Sequence, residues 1–91
     1  PADAETGEIV GTEICAQAKQ VMKNISAILE EAGAAFDNVI KTTCFLADMN
    51  DFAAFNEIYG EYFVNKPARS CVAVKTLPKN VLCEVEVIAE L

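Results

Sequence analysis

The sequence predicts an α+β fold in which two helices cover one face of a mixed sheet. Three observations carry that reading. Apolar residues recur with a helical period between Thr12 and Ala32, a β-rich run spans Val39 to Ala47, and two further apolar runs follow Pro67. At 91 residues the chain is one small domain, for which good packing or an oligomeric partner matters.

The elements follow in order. Pro1 to Gly11 is turn-rich, with Thr6-Gly7 as a turn before the apolar step Ile9-Val10. The first helix runs from about Thr12 to Ala32, with Ile14, Ala18, Val21, Ile25, Ile28 and Ala32 as its apolar stripe. Thr12 is suited to cap its start and Gly33 its end, while Gln17, Lys19, Gln20, Lys23, Asn24 and Glu31 form the polar face. Val39 to Ala47 carries a single charge, Lys41, and reads as an interior strand with both faces covered. Asp48 or Asn50 can cap a second helix from about Asp51 to Phe63, with Phe52, Phe55, Ile58, Tyr59 and Tyr62 at helical spacing. Pro67 stops it. Two strands close the chain, about Ala68 to Lys75 and Val81 to Ala89.

Side chains alternate across a strand, so parity assigns the faces. In the last strand Val81, Cys83, Val85, Val87 and Ala89 should meet the helices, which sends Leu82, Glu84, Glu86, Ile88 and Glu90 to the other side. In the preceding strand Val72 and Val74 are the natural core pair. That choice places Arg69, Cys71 and Ala73 on the same face as Glu84 and Glu86. A face mixing Leu82 and Ile88 with charges is expected to be a subunit interface.

Composition narrows the chemistry. A net charge of −7 repels polyphosphate and argues against nucleic acid as a partner. No run approaches the roughly 18 apolar residues of a spanning helix, so no membrane is expected and the chain reads as cytoplasmic. There is no histidine, which removes Ser-His and Cys-His nucleophile pairs from this chain. Cys15, Cys44, Cys71 and Cys83 are scattered without a C-x-x-C pair, so no metal site is expected and all four read as reduced thiols. Arg69 is the only arginine. A planar, permanently charged fork at the start of an alternating strand, followed by a strand bearing glutamates, points to a small anionic ligand and proton chemistry.

At these residues the chain resembles the RidA (YjgF-like) family of enamine and imine deaminases. The resemblance lies in Val39-Ile40-Lys41-Thr42-Thr43-Cys44-Phe45-Leu46-Ala47-Asp48-Met49, Asn56-Glu57-Ile58-Tyr59, Pro67-Ala68-Arg69-Ser70-Cys71-Val72 and Glu84-Val85-Glu86-Val87-Ile88-Ala89. It implies a chorismate-mutase-like α+β fold, a homotrimer with sites at the subunit interfaces, and no cofactor. It also implies hydrolysis of 2-enamino and 2-imino acids, of the 2-aminoacrylate and 2-iminobutyrate type, to 2-oxo acids and ammonia. On that pattern Arg69 binds the substrate carboxylate, and Glu84 positions water and transfers a proton. Cys71 lines the site, while Phe52 and Asn56 reach a neighbouring subunit's pocket. Family members carry a further N-terminal β-hairpin, so this single domain at 1–91 is expected to be one piece of a longer protein. A non-catalytic trimer, acting as a ligand sensor, a holdase or a translation-inhibitor-like module, is the alternative of a different class.

Overall fold

The computed structural model describes residues 13–91. Within them a helix, α1 (Ile14–Glu31), precedes a strand, β1 (Val39–Leu46), a second helix, α2 (Phe52–Tyr62), and two strands, β2 (Ala68–Ala73) and β3 (Cys83–Ala89). The strands form one sheet in the order β2-β1-β3. β1 runs parallel to β2 and antiparallel to β3. The α+β class therefore stands, with β1 central. Parallel neighbours require a crossover, and α2 is that crossover.

α1 ends where glycine was expected. Gly33 adopts φ +78°, its N–H bonds Glu30 O, and the next N–H, from Ala34, reaches back to Leu29 O at 2.7 Å. This pair of bonds closes a helix through a left-handed residue, which favours glycine. The expected cap at Thr12 lies outside the described residues. Asp48 accepts a hydrogen bond from Asn50 N at 2.9 Å, capping a short 3-10 turn that leads into α2.

Two features of α1 differ from the expected stripe. Ala18, Val21, Met22, Ile25 and Leu29 are buried, whereas Ile28 is 67% exposed. Met22 and Leu29 continue a 3.6-residue row that Ile28 leaves. Gln17, assigned to the polar face, is buried instead, and its Oε1 accepts the Leu82 N–H at 2.8 Å. A buried amide needs such a partner; this one ties α1 to the chain entering β3.

The core lies between the helices and one sheet face, where Val21, Met22, Ile25 and Leu29 of α1 meet Phe55, Ile58 and Tyr59 of α2 and Cys44, Leu46 and Cys83 of the sheet. Within β1, Thr42, Cys44 and Leu46 are buried, Lys41 is exposed and Phe45 is half-buried. Among the described residues the helices cover one face of β1, and the other face is left to Lys41, Thr43 and Phe45.

Register fixes the faces of the outer strands. Thr42, Cys44 and Leu46 pair with Arg69, Cys71 and Ala73 on one side, and with Val87, Val85 and Cys83 on the other. The parity of β3 is as expected. That of β2 is inverted: Arg69 and Cys71 point to the helix side, while Val72 lies beside Phe45 on the open face and is 44% exposed. Two valines outweigh a cysteine on hydrophobicity alone. Here Cys71 packs against the core, and Arg69 sits on the same row because aromatic rings of α2 receive its flat guanidinium.

Candidate active site

Arg69 is near the start of β2, opposite Thr42. Its Nη1 donates to Asn56 Oδ1 at 2.6 Å, and its guanidinium carbon lies 4.5 Å from the Tyr59 ring centroid and 5.4 Å from that of Phe52. Phe52, Asn56 and Tyr59 are spaced by four and then three residues, one face of a helix. α2 thus holds the cation from three points. Cation–π contact with aromatic faces contributes about 0.5–1 kcal/mol at exposed sites.

The platform is itself anchored. Tyr59 Oη and Thr42 Oγ1 are 2.8 Å apart and buried, and the Tyr59 ring stacks on Phe63 at 4.5 Å. Burial raises the Tyr59 phenol above its ordinary value, and the Thr42 hydrogen bond opposes that shift. The phenol therefore stays neutral and serves as structure.

Beside Arg69 opens a cleft of about 490 Å³, bounded by Asn56, Tyr59, Gly60, Phe63, Val64, Lys66 and Pro67. Two cations and no carboxylate line it. Lys66 is aimed by a left-handed backbone, φ 52°, in the turn closed by Lys66 N–H to Phe63 O. Although the chain carries 14 acidic against 7 basic residues, Arg69 has no carboxylate partner among the described residues. A guanidinium without a carboxylate partner keeps N–H donors of a kind that suit an anion.

Cys71 follows on the same row, half-buried beside Cys44. Burial raises its thiol, and Arg69 only partly opposes this. Burial likewise lifts Cys44 and Cys83 to about 11. A thiol in that condition is a poor nucleophile at neutral pH, so Cys71 fits a wall and not an attacking group. No three His, Cys, Asp or Glu side chains among the described residues converge to hold a metal.

Glu84 is the main departure from the expected site. It pairs with Phe45, three positions from Thr42, and so faces the open side of the sheet, opposite to Arg69. The expectation that Arg69, Cys71, Glu84 and Glu86 share a face is corrected accordingly. Phe52 and Asn56, expected to serve a neighbouring subunit, contact Arg69 of their own chain. Tyr59, Thr42, Gly60 and Lys66 were not foreseen; the signal for Tyr59 was its place on the Phe52–Asn56 face, masked by its fit to the core stripe.

Comparison with known proteins identifies the family. The family model described as Endoribonuclease L-PSP matches residues 1–91. A RutC family protein of Pyrococcus abyssi is 58% identical over 90 residues, covering 98% of this chain and 71% of its own length. Human 2-iminobutanoate/2-iminopropanoate deaminase is 47% identical over 88 residues, 96% of this chain and 64% of that protein. The crystal structure of Escherichia coli TdcF with bound serine superposes with a TM-score of 0.91 at 42% identity, covering 98% of this chain and 72% of that one. No described helix is long and apolar enough to cross a membrane.

Proposed function

The chain belongs to the Endoribonuclease L-PSP family, the RidA (YjgF-like) proteins, and on that premise we propose that it hydrolyses 2-enamino and 2-imino acids to 2-oxo acids and ammonia. The observation that carries this reading is Arg69: a guanidinium fixed by Asn56 and two rings at the mouth of a cleft, with no acid beside it among the described residues. An imino acid offers a carboxylate for that fork and an electrophilic C=N carbon next to it. Water adds to the carbon, a proton passes to the nitrogen, the C–N bond breaks and ammonia leaves. Held substrate and positioned water are sufficient for such an electrophile.

Glu84 remains the proposed proton carrier, acting in trans. Because it faces away from Arg69 of its own chain, it acts on substrate held by a neighbouring copy, which makes the working unit an oligomer, proposed as a homotrimer. Val72 and Ile88, 44% and 56% exposed on the same face, give that face the apolar character of a contact surface. The human relative's name supports the imine reading, and the net charge of −7 weighs against RNA as substrate.

The test is a coupled assay in which threonine dehydratase generates 2-iminobutyrate and semicarbazide traps what escapes hydrolysis. Wild-type protein should suppress semicarbazone formation. Arg69→Ala should lower kcat/KM by about a hundredfold or more, since hydrogen bonds to charged groups are worth roughly 1.5–3 kcal/mol each. Arg69→Lys should be badly impaired as well, a point charge being unable to replace the fork. Wild-type rates in both variants would remove the anchor. Binding of 2-oxo acids without any turnover would favour the non-catalytic sensor; the crystal structure of a relative with bound serine is a case of small-ligand binding.

A further inference from the structure

Gly60 lies inside α2, where glycine weakens a helix relative to alanine. Nothing in the backbone demands it. Its φ is not left-handed, and a Cβ built there meets no heavy atom within 4 Å. The position is nevertheless part of the cleft wall, together with Tyr59, Phe63, Val64 and Pro67. A side chain at Gly60 would occupy cleft volume that the glycine leaves open.

The cleft is also larger than the smallest substrates need. Its volume of about 490 Å³ falls in the range of pockets that enclose ligands several times the size of a three-carbon acid. From Arg69 the cleft runs along Tyr59, one residue from Gly60, to Phe63, Val64 and Pro67. Those surfaces are apolar.

We propose that Gly60 is a specificity-determining residue, keeping room beside Arg69 for the substrate's side chain, and that this protein prefers 2-imino acids with a bulky apolar side chain over three- and four-carbon ones. The inference rests on the reading of Arg69 as carboxylate anchor. It goes beyond that reading by assigning the side-chain subsite and the residue that sizes it. Lys66 at the cleft makes an acidic side chain the rival class.

Calorimetric binding of stable 2-oxo acid products tests the preference without turnover. Wild-type protein should bind 4-methyl-2-oxopentanoate about tenfold or more tightly than pyruvate, the scale of discrimination that added methylenes bring in an apolar pocket. Gly60→Leu should abolish the preference and Gly60→Ala should reduce it, while Gly60→Ala raises the melting temperature because the helix gains a better former. An unchanged ratio in both variants, or no preference in the wild type, would overturn the proposal. Tighter binding of 2-oxoglutarate than of 4-methyl-2-oxopentanoate would also overturn it, in favour of Lys66. Arg69→Ala separates the two readings: if it leaves binding of both acids intact while Gly60→Leu still removes the preference, the anchor fails and the sizing role stands.

Discussion

Tyr59 serves Arg69 with its ring and the core with its hydroxyl. The Thr42 contact at 2.8 Å is buried, so removing one partner strands the other without water. Thr42→Val should destabilise the protein by about 1–3 kcal/mol, the desolvation cost of an unmatched buried polar group. Tyr59→Phe in the same background should recover most of that loss, because the orphaned oxygen is then gone. Urea denaturation of the two single variants and the double variant checks this; additive losses would mean that the hydroxyls do not interact. Arg69, Asn56, Phe52 and Cys71, site candidates by sequence, are brought together around one strand and one helix face. Glu84 was legible as a site candidate but not as a residue of the opposite face, because pairing register and not local alternation decides where β2 points.

At the scale of elements, both α-helices and all three strands of the described residues were visible in apolar period and punctuation, whereas the short 3-10 turns at Phe36–Asn38, Met49–Asp51 and Pro78–Asn80 were not; the ends were visible where a special residue marked them. Gly33 is such a mark. With φ +78° any Cβ is strained there, so Gly33→Ala should cost about 1 kcal/mol, read as a lower urea midpoint with an unchanged slope. Ile28 and Gln17 show what period alone misses. Both sit at the margin of the α1 stripe; Gln17 is drawn in by a tertiary partner, the Leu82 N–H that needs an acceptor, while Ile28 falls off the row that Met22 and Leu29 continue. Val72 lost its expected core place for a similar reason. In a short strand of Ala, Arg, Ser, Cys, Val and Ala neither parity is strongly apolar, so aromatic rings able to receive a guanidinium tip the balance.

For the whole molecule, two bulk properties lead to measurable behaviour. Cys44 and Cys83 are raised from 9.0 to about 11 by burial, so between those values the unfolded chain has lost thiol protons that the folded chain keeps. The unfolded state then binds fewer protons, and stability falls as pH rises. The contribution is fully present below about pH 9 and is lost as pH climbs toward 11. Replacing both cysteines by alanine should flatten the alkaline limb of the melting-temperature profile. The second property is the uncovered sheet face. If Glu84 acts in trans, Ile88→Asp should shift sedimentation toward the monomer and lower deaminase activity in step; full activity from a monomer would exclude the shared site.

The crossover connection has a kinetic consequence. Among the described residues the side-chain contacts that hold Arg69 come from α2, with Asn56 only 13 residues away, whereas the tie between Gln17 and Leu82 closes 65 residues. Shorter closures cost less chain entropy and are favoured early. The β1-α2-β2 unit should therefore assemble first, with β3 zipping on afterwards. In stopped-flow chevrons, truncations along α2 should slow refolding, while truncations in β3 chiefly hasten unfolding; the ligand cradle would be shaped before the last strand arrives.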